Sequence, residues 1–365
     1  MPSRKHQPRT LRPPGHRRSI TRRLAIILAA AVSLPLALCV SIGVGAASVP
    51  MRDTLAVLCG FEADERLVRI IMNIRLPQAL TATVAGAGLA VSGATMQGVL
   101  RNPLASPFTL GISNAAAFGA ALTMYFHGMY FYGSGVAAQG NTLMGLGLSR
   151  GGVATGAFLC AILAAFVILV LGRLCGTRSE TIVLVGVALS SLFTAGLLFL
   201  QYMADDMQLA AIVYWTFGDT ARAGWNSLGV ITACLVPVSA YFWSQSWNYN
   251  ALLFGEETAQ GLGVPVRRLR MTTMLLSSFL TAVLVSLLGI IGFIGLVVPH
   301  VARILVGSDN RFLLPFSLLF GGLLLLVSDT FARLILAPRL LPVSVLTAFI
   351  GAPVFLSLLL GKRKT

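Results

Sequence analysis

Lysine is nearly absent: Lys5, Lys362 and Lys364 are the three in the chain, and each sits within a few positions of an end. A phosphate-cradling P-loop needs a lysine after its glycines and before a serine or threonine, inside a strand–helix unit. None of the three can supply it, so the chain does not hydrolyse ATP by that route. Charge of either sign is scarce, at 11% of residues against roughly a quarter in a soluble domain. The five cysteines (Cys39, Cys59, Cys160, Cys175 and Cys234) are scattered, without CxxC spacing or a disulfide framework. Paired catalytic carboxylates, HExxH and a Ser/His/Asp arrangement are all missing, so no catalytic residue, metal ligand or cofactor site is expected.

Apolar residues take the place of charge. They make up 56% of the 365 residues and fall in blocks of about 20, the length a helix needs to cross roughly 30 Å of hydrocarbon. The fold class is therefore all-α, a polytopic membrane protein of about ten transmembrane helices. The expected spans are about 24–47, 77–100, 108–125, 153–171, 181–202, 227–243, 271–291, 292–307, 312–336 and 342–360. The piece at 292–307 is short and interrupted by Pro299. A secretory signal is the other reading of the first run, but a signal core is 7–15 residues and this run is longer.

The net charge of +15 raises nucleic acid as a partner, and its distribution argues against one. Eight basic residues lie between Arg4 and Arg23, and others cluster at Arg267, Arg268 and Arg270 and at Lys362, Arg363 and Lys364. Each cluster abuts an apolar block, as the positive-inside bias requires of cytoplasmic flanks. No basic surface interleaved with aromatics is present. Ten crossings with both termini cytoplasmic put the whole positive excess inside and leave the outer loops balanced. Residues 1–23 read as a basic cytoplasmic tail, 24–361 as one transmembrane domain in contact with membrane lipid, and 362–365 as a basic cytoplasmic end. Residues 49–75 and 126–151 read as external segments, and 214–225, rich in Trp and Tyr, as interfacial.

Polar residues inside spans are costly and mark function by default. His300 follows Pro299, either satisfying the broken helix or acting as a lone ligand without a second. Asp329 and Arg333 are four apart on one helix face, either an internal ion pair or a carboxylate beside an exposed docking arginine. Asn102 and Leu104, in the Pro103 break, either terminate a helix or narrow a pathway. Gly88 and Ser92 have the small–xxx–small spacing that lets helices approach closely in lipid. An ion-coupled transporter would carry ionisable residues near mid-membrane, and the span centres here are almost uncharged. Energy then enters from another polypeptide. The polar stretch at 255–263, GEETAQGLG, between two spans and on the cytoplasmic side, is where it would enter.

Several motifs in order resemble one family: RLP at 75–77, GAGLAVSGATMQGVLRNPLASP at 86–107, GEETAQGLGV at 255–264, GIIGFIGLVVPHVAR at 289–303, SDTFAR at 328–333 and LPVSVLTAFIGAPVF at 341–355. The chain is similar to the FecCD-type permease subunits of ATP-binding-cassette importers for iron–siderophore complexes, haem and vitamin B12. The resemblance implies a vitamin B12 importer permease-like fold in the cytoplasmic (inner) membrane. It implies pairing with a second copy or paralogue, two cytoplasmic ATP-binding subunits and an extracytoplasmic substrate-binding protein. It makes 250–266 the coupling segment, with Gly255, Glu256, Glu257, Ala259, Leu262 and Gly263 against the ATPase. Arg75 and Arg333 become the docking arginines, with Gln78 standing where a second arginine is common, and Asn102 and Leu104 the inner gate. The implied cargo is an iron chelate, with cobalamin the alternative. The alternative of another class is an ion-coupled secondary transporter working alone.

Overall fold

The computed structural model describes residues 14–45, 50–61, 64–134, 150–174, 179–336 and 341–361. Residues 1–13 of the basic tail, the core of the 126–151 loop, and the KRKT end lie outside the described residues. The described residues are mainly helical: α1 (Pro14–Gly43), α2 (Met51–Leu58), α3 (Glu65–Ile70), α4 (Leu76–Val99), α5 (Ile112–Ser134), α6 (Arg150–Leu174), α7 (Ser179–Met203), α8 (Asp206–Thr216), α9 (Trp225–Ser244), α10 (Ser246–Leu252), α11 (Glu256–Gly261), α12 (Val266–Leu288), α13 (Ile294–Val306), α14 (Asn310–Ile335) and α15 (Val343–Gly361). Among the described residues, seven helices are long and apolar enough to span a bilayer, and three shorter apolar stretches, in α5, α13 and α15, bring the set to the expected ten. The chain is a multi-pass membrane protein.

The second span was expected to start near Pro77, and the external segment before it, 49–75, is mostly helical. Its second half, α3, runs into α4 through a π turn at Ile71–Arg75, in which the Leu76 N–H bonds to the Ile71 carbonyl five residues back. Pro77 explains both the expectation and the outcome. A proline has no N–H to give its helix and marks an apparent start, yet one wide turn accommodates it without ending the helix.

The centre of the bundle is α4, buried along most of its length against α14, α13, α12 and α9. Lipid offers no hydrophobic drive for helix association, so contact depends on close van der Waals approach. At Gly86 a Cβ would lie 2.2 Å from the Gly321 carbonyl oxygen of α14, and at Gly93 1.8 Å from that of Gly295 in α13. Gly88 and Ser92 do lie inside, but the backbone-to-backbone crossings occur at Gly86 and Gly93. Buried hydroxyls add polar stitches, as between Thr95 of α4 and Ser277 of α12 at 3.2 Å.

Between α12 and α13 the chain leaves the helix at 289–293, earlier than the expected end at 291. Its backbone groups are taken up by a neighbouring non-helical strip. Gly218 N–H donates to the Ile290 carbonyl at 3.1 Å, and Asp219 N–H to that of Leu288 at 2.8 Å. Irregular backbone at membrane depth survives only when protein satisfies it in this way. The strip is in turn held by Arg222, which donates to the carbonyls of Tyr214, Trp215 and Phe217 at 2.6, 3.0 and 2.8 Å and so closes the C-terminus of α8.

Gly93→Leu should prevent the α4–α13 crossing and cost more than the roughly 1–3 kcal/mol typical of overpacking. Gly98→Ala, where nothing lies within 4 Å of the added carbon, should leave stability unchanged or slightly raised. Thermal unfolding of the two purified variants in detergent checks this; equal midpoints would refute the crossing.

Candidate functional site

Two clusters of polar side chains form at opposite ends of the bundle. Since α4 and α14 are antiparallel, Arg75 at the start of one meets Arg333 near the end of the other. The far end of α4 meets α11 and α12.

At that far end, α4 stops at Val99, and the chain turns through Arg101, whose φ is +46°. Asn102 Oδ1 accepts the Leu104 N–H at 2.9 Å, a side-chain turn that closes the break around Pro103. Thr109 braces it by donating to the Leu104 carbonyl at 3.0 Å. The turn is thus built internally, and the Leu104 side chain is left 45% exposed. Leu100 to Pro103 face Ser179, Glu180 and Glu256 across a cleft of about 630 Å³. Asn102 of the suspected gate and Glu256 of the suspected coupling segment therefore line one cavity.

Gly255, at φ +116°, turns the chain sharply from α10 into α11. Glu256 and Glu257 occupy the first turn of α11, where carboxylates meet unsatisfied N–H groups and the positive helix end. Leu262 is 69% exposed, whereas Ala259 is fully buried in the chain's own core. The structure adds Phe254, 76% exposed just before Gly255. Sequence reasoning passed over it because it closes an apolar block; a large aromatic immediately before a glycine and an acidic pair was the available signal. Glu256 is ion-paired with Arg270 of α12, which is 2% exposed and donates through Nε to the Val99 carbonyl at 3.1 Å. Arg270 had read as one of three cations flanking a span; it is interior.

A further knot joins α10 to the α13–α14 turn. Asn250 donates to Asp309 Oδ1 at 2.8 Å and accepts from the Asn310 N–H at 2.8 Å, and Arg311 clasps Asp309 while stacking 4.4 Å above the Trp247 ring. Burial alone would raise the Asp309 carboxyl. The hydrogen bonds from Arg311 and Asn250 outweigh it and hold the group below its usual range. Buried His300 follows Pro299 within α13. Among the described residues no group of three or more His, Cys, Asp or Glu side chains could hold a metal ion.

At the opposite end Asp329 and Arg333 form the ion pair that their spacing allowed, at 3.1 Å. Asp329 is 2% exposed and also accepts from Gln78 at 3.1 Å and from Thr220. Gln78, where the related pattern has a second arginine, thus completes the shell of a buried carboxylate. Arg333 donates to Ser41 Oγ at 2.7 Å, and Arg75, 6% exposed, donates to the carbonyls of Ile42 and Gly43 at 2.9 and 3.1 Å. These are carbonyls of the last turn of α1, which lack partners within their helix. Both arginines are brought together, and both brace the end of α1.

The comparisons agree with one another. A family model described as the FecCD transport family matches residues 33–361. A protein of Methanocaldococcus jannaschii named as an ABC transporter permease is 48% identical over 321 residues, covering 88% of this chain and 90% of its own. A hemin transport system permease protein of Yersinia pestis is 37% identical and covers 89% of this chain and 92% of its own. A solved inward-facing metal-chelate type ABC transporter has a TM-score of 0.78 at 32% identity, covering 92% of this chain and 99% of its own.

The buried carboxylate gives a test of the arginine end. Asp329→Ala leaves Arg333 beside an empty, desolvated position and should destabilise the protein by about 3–5 kcal/mol. The thermal midpoint in detergent, compared with that of an exposed-site control such as Glu65→Ala, measures it. A midpoint within error of wild type would mean the pair contributes nothing.

Proposed function

This chain belongs to the FecCD transport family, and from that premise we propose that it is the membrane permease of an importer driven by two separate cytoplasmic ATP-binding subunits. That it is an ABC importer permease follows from the family. The partners, orientation and cargo are our reading. The observation that carries it is α11 with its surroundings: a six-residue helix between glycines, presenting Phe254, Leu262 and Glu257 outward while Glu256 reaches inward. A connecting loop does not need two exposed large apolar side chains around an acidic helix. A groove on another protein does.

In this reading Gly255, Glu256, Glu257, Leu262 and Gly263 form or shape the ATPase contact, and Ala259 anchors α11 from within. Asn102 and Leu104 form the inner gate. Arg75 and Arg333 mark the docking end for an extracytoplasmic binding protein. Arg333 is the more accessible of the two; Arg75 would have to leave Ile42 and Gly43 to meet an incoming carboxylate. A second permease copy or paralogue would complete the pathway. Polar side chains support a pathway beside α5 and α7: Asn114, near the start of α5, donates to Ser190 and Thr194 of α7 at 2.6 and 3.1 Å, and Ser191 and Thr194 are exposed on that helix. The membrane is the cytoplasmic one, with both termini inside. The cargo is an iron chelate, a siderophore complex or haem, with cobalamin the alternative for the same machine.

Reconstitution into proteoliposomes with its ATP-binding subunits and binding protein should give ATP-dependent uptake of a ferric chelate, haem or cobalamin, tested in parallel. Gradient-driven uptake by this chain alone would instead make it a secondary transporter. Glu256→Lys or Gly255→Trp should lower uptake at least tenfold while the permease still folds; undiminished uptake would remove α11 from the coupling path.

A further inference from the structure

Two arginines, Arg303 half-buried and Arg270 buried, hold the end of α4 that leads to Asn102 and Leu104, and they differ in what lies behind them. Arg303 of α13 donates to Gln97 Oε1 at 2.5 Å, and the Gln97 amide reaches back to the Leu296 carbonyl at 3.3 Å. This fastens α4 to the span beside it. Arg270 of α12 instead bridges two separate elements with one guanidinium. Its Nε holds the carbonyl of Val99, the last residue of α4, and its Nη2 holds Glu256, the first residue of α11.

We propose that Arg270 is the positioning residue through which movement of α11 reaches the gate turn at 100–104. The proposal rests on the reading of α11 as the ATPase contact and adds the route inward from it. Glu256 has a side chain 41% exposed, within reach of a partner, whereas Arg270 is 2% exposed and fixed in the interior. A displacement of this half-exposed carboxylate therefore passes to a group that cannot swing freely, and from there to the backbone three residues before Asn102. Arginine suits this because its guanidinium is planar, always charged, and presents donors on two edges in a fixed relation. A lysine ammonium at the same place is a point charge on a flexible stem. The glycines at 255 and 263, both at positive φ, bracket α11 and let the short helix tilt as a unit. Glu256 and Asn102 already line the same cleft, so the distance to be bridged is short.

Deuterium exchange at backbone amides tests this without knowing the cargo. In the permease assembled with its ATP-binding subunits, a non-hydrolysable ATP analogue should change exchange at least threefold at 256–263 and at 100–105. In the Arg270→Gln complex the change at 256–263 should persist and that at 100–105 should disappear, with Arg270→Lys between. A merely structural role would alter assembly or exchange throughout, and would not separate the two segments. Because loss of a buried arginine can prevent folding, Glu256→Gln is measured alongside in the full-length permease alone. It should speed exchange at 100–105 at least threefold, although Arg270 remains in place. An Arg270→Gln complex that still responds at 100–105, or unchanged exchange there in Glu256→Gln, overturns the proposal. If the wild-type complex shows no nucleotide response at 256–263, the ATPase contact itself is wrong, and the Glu256→Gln measurement still decides whether α11 communicates with the turn.

Discussion

The close crossing of α4 with α14 and α13, backbone against backbone at Gly86 and Gly93, is the constraint on which the other features depend. In lipid, apolar side chains gain little by meeting one another, so helices associate where small residues let many weak contacts form at once. With α4 held this way, both of its ends become fixed points. One end carries Arg75 and Gln78 into contact with α1 and Asp329. The other carries Val99 to Arg270 and presents the turn at Asn102.

The two ends solve the same electrostatic problem differently. A buried charge is tolerable when paired and hydrogen-bonded. At the Asp329 end the carboxylate is enclosed by Arg333, Gln78 and Thr220, and the arginines also satisfy carbonyls of the last turn of α1. The cluster is closed on itself. At the Val99 end the buried charge is Arg270, and its partner Glu256 lies on a short exposed helix. That cluster is open to the outside, which is why the first looks like a clasp and the second like a connection. The knot of Asn250, Asp309 and Arg311 fixes α10 to the α13–α14 turn, so the chain leading into α11 is anchored on one side while α11 itself is bracketed by glycines.

Much of this was legible in the chain, and the misses have physical causes. The apolar blocks followed from composition and length, and the short piece at 292–307 was placed within two residues at each end, although Pro299, expected to interrupt it, lies inside a continuous helix. The start of the second span was misplaced because Pro77 reads as a helix start, while a π turn carries the helix through from Glu65. Asp329 and Arg333 were visible as a pair from their four-residue spacing, but that spacing could not say that Gln78 and Thr220, far away in sequence, would close around the carboxylate. Arg270 looked like its neighbours Arg267 and Arg268. Only its face of α12 separates it from them.

By itself the sequence determined the membrane class, the apolar blocks and their order, the uneven distribution of charge along the chain, and the family. Each of these is a local property: block length, charge density, or residues contiguous in a motif. Tertiary structure alone decided which glycines bear the crossings, that Arg75 and Arg333 both brace α1, that Ala259 faces in while Phe254 and Leu262 face out, and that Arg270 joins α11 to α4. These depend on helix rotation and on contacts between residues tens to hundreds of positions apart. Neither is encoded in any single stretch of the chain.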